Sequence, residues 1–389
     1  MQPGDPASEM APKSHLPAPG IAACPSAPHR SVLGLLRAAT GRPGGPGLVA
    51  DLGASDPQEI VPIATFNYVH VAMAAGFETS PDLQRAVPDD LVIFFKEMEQ
   101  ANIRRNAAIR AQIAEIGGIL AENGIRSVAL KGAAELAAPV FPRPGLRFLS
   151  DVDLLVPEDD ITRAAGILHG TGARSDRVDA EAERHHHHIA PLRRRDWPVM
   201  LELHRGLGTV DGQAFVVAEA VLDRALPSDL PGIAVPAPEH RLAHCVFHAQ
   251  LHRPRYRDGQ LSLRDILESE LLQRAFGAEP VALARALFAD SFDPAPWEAL
   301  DAARALVFGN ESDIAALGRS PRAWAETALV DFGRPRRRRR TELLRLAGTY
   351  AKDLLSDPAR RRHYLGELFR RGRLRRLLTH HRDRFRRTR

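Results

Sequence analysis

The sequence predicts an α+β chain in which a small mixed sheet is set between two helical regions. Ile109, Ile113, Ile116 and Leu120 recur at spacings of four, three and four, which marks one buried helical face. After Gly124, a natural helix stop, the pattern changes to short apolar runs alternating with brief helices. From Pro238 onward the helical period returns.

The elements follow in order. Residues 1–55 are rich in Pro, Gly, Ala and Ser and read as a mostly disordered leader with one short helix near residues 32–39. Residues 56–124 form a helical N-terminal region, and 125–237 hold the sheet. Within the latter, residues 127–130 make a compact strand that runs through Lys131 and Gly132 into an alanine-rich helix at 133–138. Residues 141–145, with two prolines, form a loop, and 151–156 form a second strand. Pro157 with three acids begins another helix. Further strands are expected at 186–192 and 199–204, then a helical C-terminal region at 238–332 and an Arg-rich helical tail at 333–389. No internal repeat is evident.

A hydrophobic content of 44% over 389 residues suits a soluble chain of two or three domains. Cys24 and Cys245 stand far apart, which supports neither a disulfide framework nor a cysteine zinc site. No stretch approaches the roughly 18 continuous apolar residues of a membrane helix, and the start MQPGDPASEM lacks a signal-peptide pattern. The expected compartment is the cytoplasm. Residues 333–389 carry 21 Lys and Arg against 5 Asp and Glu, whereas the remainder carries 32 against 43. Such a tail suits nucleic acid, anionic lipid, the acidic body itself, or simply a solvated helix face.

Residues two apart in a strand point to the same side, so Asp151 and Asp153 present two carboxylates while Val152 and Leu154 face the core. Carboxylates so paired suit hard cations such as magnesium, which accepts a few protein oxygens and fills its shell with water and phosphate. Two ions about 3.5 to 4 Å apart serve a phosphoryl-type displacement. Alternation in residues 199–204 places Glu202 and His204 opposite the aliphatic face, which makes Glu202 a third carboxylate. Lys131 and Gly132, at a strand-to-helix turn, suit a triphosphate, with Arg147 and Ser150 as further phosphate contacts.

The runs SVALKGAAEL, RFLSDVDLLV and VMLELH resemble the uncharacterised nucleotidyltransferase family of the DNA polymerase β-like superfamily, over about residues 60–271. Most of that superfamily has Gly-Ser after the first strand. Here Lys131 and Gly132 occupy the turn, and 18 residues separate Gly132 from Asp151, a longer gap than usual. The resemblance implies a polymerase β-like catalytic domain in which Asp151, Asp153 and Glu202 are the catalytic and metal residues. Asp151 and Asp153 would hold two Mg2+ ions, with Mn2+ as a substitute. Glu202 would hold the catalytic ion and assist deprotonation of the acceptor. Lys131, Gly132, Arg147, Ser150 and His204 would bind the nucleotide. A nucleoside monophosphate would pass from an NTP to a hydroxyl of a small molecule, a protein or, with least support, RNA. The competing readings are an inactive module of the same fold that engages nucleic acid or a protein through its basic tail, and a toxin-neutralising enzyme that modifies a partner protein.

Histidines are abundant elsewhere. His186 and His188, alternate members of the run from His185 to His188, either line the cleft near Glu202 or decorate a strand edge, the second being favoured. His240, His244, His248 and His252 recur every four residues. A stripe diverges along a helix by about 6 Å per step, so packing against a neighbour such as Asp265 is expected rather than a zinc site.

Overall fold

The structure is a computed structural model that describes residues 20–45, 47–175, 188–210 and 213–334. By its internal contacts the chain divides into Met1–Gly333 and Arg334–Arg389. The expected amphipathic tail beyond Arg334, and His185, His186 and His187, lie outside the described residues.

Nine short strands occur among the described residues: β1 (Val128–Ala129), β2 (Asp151–Leu155), β3 (Arg174–Ser175), β4 (Leu192–Arg193), β5 (Met200–His204), β6 (Thr209–Val210), β7 (Gln213–Ala214), β8 (Leu226–Pro227) and β9 (Ala234–Val235). Seven form one mixed sheet in the order β3-β4-β5-β2-β1-β9-β8, while β6 and β7 make a separate hairpin. β2 runs parallel to β5 and antiparallel to β1; β1 runs parallel to β9. The fold is α+β, as the sequence predicts.

Two apolar cores stabilise it. One lies between the sheet and the faces of two helices: Ile109, Ile113, Ile116 and Leu120 of the long helix Asp89–Glu122, and Ile161, Ala164 and Leu168 of the helix Ile161–Gly170, pack with Val152, Leu154, Leu201 and Leu203. The other joins the first described helices to the last ones, with Leu33, Leu36, Phe77, Phe95, Trp297 and Phe308 in a single cluster.

That second core corrects the expectation of a disordered leader through residue 55. Ala27–Ala39 and Leu48–Gly53 are helices, and Val32, Leu33, Leu35 and Leu36 are fully buried. Arg37 Nη1 donates to the carbonyls of Val307 (2.9 Å) and Gly309 (2.8 Å), while Arg42 pairs with the buried Glu270 at 2.8 Å. The short helix expected near residues 32–39, where Val32, Leu36 and Ala39 have helical spacing, extends back to Ala27, and what the flanking prolines and glycines hid is its burial and the second helix at Leu48–Gly53.

The long helix also sets where the strands start. Asn102 Nδ2 donates to the carbonyls of Gly145 (2.8 Å) and Arg147 (2.9 Å), and Asn106 Nδ2 to those of Pro144 (3.0 Å) and Arg147 (2.9 Å). Farther along, Gln112 Nε2 donates to Val199 O at 3.0 Å. These buried amides satisfy loop carbonyls that the sheet leaves over, so the loop before β2 and the entry to β5 are tied to one element. Nearer the helix end the backbones touch: a Cβ on Gly232, whose φ is +66°, would lie 2.1 Å from Gly117 O.

After Pro238–Phe247 the α-helix passes into a π turn, His248–His252, and the chain then breaks before Leu263–Phe276. The helical region from Pro238 is thus made of separate pieces, and across the π turn the His248 and His252 rings still stack, 5.5 Å apart. Asp265, expected beside the histidines, feels the His248 charge and is held by Arg255 Nη1 (2.5 Å) and Arg264 Nε (3.0 Å). Among the described residues no single helix is long and apolar enough to cross a membrane, and Cys24 and Cys245 are both free thiols.

Candidate functional site

Parallel pairing puts Asp153 opposite Glu202, Asp151 opposite Met200 and Leu155 opposite His204. Val152, Leu154, Leu201 and Leu203 point into the sheet core and are fully buried. The alternate residues therefore share the other face. On it Asp151 is half-buried, Asp153 and His204 are buried, and the Glu202 side chain is 17% exposed.

Asp153 is the hub. Its Oδ1 accepts from Lys131 Nζ at 2.8 Å and from His204 Nε2 at 2.8 Å, and His204 Nε2 also stands 3.7 Å from Glu202 Oε2. Burial alone would raise the Asp153 carboxyl, but the Lys131 charge and the His204 hydrogen bond together hold it well below the carboxylate range. Burial works against the charged form of His204, yet Asp153 and Glu202 outweigh it and raise the imidazole. Glu202 is lowered by its His204 neighbour against the opposing effect of burial. Asp151 goes the other way, raised first by burial and then by the Asp153 charge.

Asp153, Glu202 and His204 each place one donor atom within 4.8 Å of the others. Two carboxylates and an imidazole at that spacing fit a divalent cation. Asp151 lies two residues before Asp153 on the same face and feels the charge of both Asp153 and Glu202.

Lys131 reaches Asp153 from the turn after β1, where its own φ is +48°. A left-handed backbone at a bulky residue is strained and persists where surrounding contacts fix it. Gly132 is needed for another reason: a Cβ there would meet Leu149 Cγ at 2.7 Å. The glycine thus admits the Leu149 side chain, which seats the loop just before Asp151.

The cleft in front of these residues, about 770 Å³ including its open mouth, is walled by Lys131, Ser150, Asp151 and Asp153 on the sheet side and by His244, His248 and Arg264 on the helical side. Ser150 Oγ donates to Asp151 Oδ1 at 3.2 Å. Arg147 is buried and its Nη2 lies 2.8 Å from Glu268 Oε2, so its charge is already matched within the wall. His188, the described member of the histidine run, bridges His204 in the backbone and tilts its ring 5.4 Å from the His204 ring. That position is on the cleft side, beside Glu202.

Sequence reasoning gave no site role to several groups that line the cleft or feel its carboxylates. His244 is 4% exposed, its Nε2 is buried without a hydrogen-bond partner, and burial followed by the Lys131 charge holds it well below the usual imidazole range. Arg105 has a buried Nη1 without a hydrogen-bond partner and feels Asp151. Arg253 lines the mouth. The only sequence signal for His244 was the histidine stripe, and for Arg105 there was none, since it stands on a helix 46 residues upstream of Asp151.

No curated protein matches the sequence. Among solved structures, the solution structure of the antibiotic-resistance factor ANT(2'')-Ia is similar at 18% identity and a TM-score of 0.34, covering 46% of this chain and 91% of that one. The model of the family described as uncharacterised nucleotidyltransferase matches residues 53–286. That match takes in the long helix, both site strands and the helical wall of the cleft, and by it the chain belongs to the uncharacterised nucleotidyltransferase family.

Proposed function

We propose that the chain transfers a nucleoside monophosphate from an NTP to a hydroxyl acceptor, with Asp151, Asp153 and Glu202 as ligands of Mg2+ or Mn2+. The observation that carries this reading is the register of β2 on β5, which sets Asp153 beside Glu202, with Lys131 on Asp153 and His204 near both. Lys131 and His204 already offset Asp153 and Glu202, whereas Asp151 is raised by burial and by its two acidic neighbours and is the carboxylate whose charged form a cation would favour. Bound divalent ions would supply that charge and polarise the α-phosphate.

The acceptor oxygen forms a bond to the α-phosphorus as the bond to the bridging oxygen breaks; pyrophosphate leaves, and the hydroxyl proton passes to solvent by way of Glu202. Lys131 and Arg253 offer positive charge to the phosphates and Ser150 a hydroxyl, in a cleft that Gly132 also lines. His204 orients Asp153 by donating to its Oδ1. The protein thus contributes position and charge rather than a covalent intermediate.

The test is incubation of the full chain with α-labelled NTPs, Mg2+ and a cell lysate. The reading requires label transfer to a defined acceptor that Asp153→Asn and Glu202→Gln each reduce by at least about a hundred-fold. Label transfer equal in wild type and both variants would reject it.

A further inference from the structure

Beyond the carboxylates, Phe148 and Arg264 line the cleft and lead out from it to a ring and a guanidinium that hold neither metal nor phosphate, those of Tyr68 and Arg105. Tyr68, between the helix Pro57–Phe66 and the turn His70–Ala72, is 47% exposed and has a φ of +57°. Its ring stacks on Phe148, with centroids 5.9 Å apart and planes at 22°. The Arg264 guanidinium lies 5.5 Å from the Tyr68 ring and that of Arg105 lies 4.7 Å from the Phe148 ring. Phe148 and Arg264 both line the cleft, and Arg105 and Arg264 both feel the Asp151 charge.

Packing on Phe148 and Arg264 accounts for only part of Tyr68, which stays 47% exposed. A bulky side chain in the left-handed region is strained, and strain of this kind gathers at ligand sites. A ring left nearly half in water gains little from burial in return. Rings and guanidiniums in alternation are instead what flat, electron-rich heterocycles stack against, with little regard to which base is offered. Position agrees as well: Phe148 stands three residues before Asp151, about 10 Å of extended chain at most, which is the separation a ribose and one phosphate fill.

We propose that Tyr68, backed by Phe148 and flanked by Arg105 and Arg264, is the subsite that takes the planar base of the nucleoside triphosphate. The inference rests on the donor reading above. It assigns the base to the N-terminal helical region, so the donor spans two parts of the chain, with phosphates at the sheet and base at the helices. Stacking without edge-specific hydrogen bonds accepts all four bases and ranks purines above pyrimidines.

The test is titration calorimetry of the full chain with ATP and with inorganic tripolyphosphate, both in Mg2+. Wild type and Tyr68→Phe are expected to bind ATP roughly ten-fold tighter than tripolyphosphate. Tyr68→Ala closes that gap by weakening ATP alone. In Tyr68→Trp, ATP quenches the fluorescence of the introduced indole and tripolyphosphate does not, a signature that a merely structural ring would not give. A gap that persists in Tyr68→Ala, together with an unquenched indole in Tyr68→Trp, overturns the base subsite and leaves the donor reading intact. Failure of wild type to bind either ligand overturns both.

Discussion

Lys131 Nζ and Asp153 Oδ1 meet at 2.8 Å across the turn that follows β1, and at that turn Lys131 has a left-handed backbone. The ion pair and the strain are thus two halves of one arrangement, and they separate by substitution. Lys131→Ala loses the pair and keeps the strain; Lys131→Gly loses the pair and relieves it. Because the lysine is 22% exposed, loss of the pair is expected to cost about 2 kcal/mol rather than the full value for a buried pair. The glycine variant should be more stable than the alanine one by about 1 kcal/mol in urea denaturation. Equal stabilities would mean that the turn carries no strain.

Asp151 is raised by burial and by its neighbour Asp153. A carboxyl whose folded value lies above its unfolded one contributes stability that is full below the unfolded value, near pH 4, and is lost as pH rises through the folded value. At neutral pH the charged Asp151 therefore opposes folding. In EDTA, Asp151→Asn is expected to raise Tm by roughly 1–3 °C at pH 7, with the gain vanishing toward pH 4. Mg2+ should then stabilise wild type and not the variant, which thermal shift measurements read directly.

His244 keeps a buried Nε2 without a hydrogen-bond partner and is held neutral by burial. Replacing it by Leu removes an unsatisfied polar atom, so stability should stay within about 0.5 kcal/mol of wild type or rise. Nucleotidyl transfer is expected to drop about ten-fold because the cleft loses a group able to bond the substrate. As burial and the Lys131 charge disfavour the charged imidazole, the pH profile is expected to keep its shape around neutral pH. A stability loss above about 2 kcal/mol would show that His244 is a packing residue instead.

Asn102 and Asn106 hold the loop carbonyls of Pro144, Gly145 and Arg147. Substituting either by Leu leaves buried acceptors unpaired and should cost about 1–3 kcal/mol. The loop then releases Ser150 and Asp151, so a rise in KM for the NTP larger than the fall in kcat is expected. Steady-state kinetics on the two variants decides whether the amides serve the site or only the fold.

Leu36 is fully buried in the core shared by the first and last helices of the described region. Leu36→Ala is expected to cost about 3 kcal/mol by chemical denaturation. A change near zero would return this segment to the status of a dispensable leader.

What the sequence made legible was local. Two carboxylates at i and i+2 followed by an apolar run announce a one-sided strand, and the alternation around Glu202 does the same for β5. Strand-to-strand register was not legible, because parallel partners 49 residues apart are matched by packing and not by turn chemistry. Lys131 was readable as a charge near phosphate, but its bond to Asp153 was not, since sequence cannot show that the turn is left-handed. Arg147 was read as a phosphate ligand from its place before the Asp pair; the partner that neutralises it, Glu268, comes from a helix more than a hundred residues on. Tyr68 and Arg105 escaped notice for the same reason, being ordinary helix-region residues until folding sets them against Phe148.

The amides of the long helix have one further consequence. Asn106 and Gln112 grip the approaches to the two carboxylate strands from points six residues apart, roughly 9 Å along a single rod. Their phase around that rod is fixed by the residue count between them. Adding one residue to the interval would swing one grip by about 100° relative to the other, pulling the two acid-bearing edges out of step while every helical hydrogen bond survived. The length of this short interval, rather than the identity of any side chain within it, is what keeps the two halves of the centre aligned.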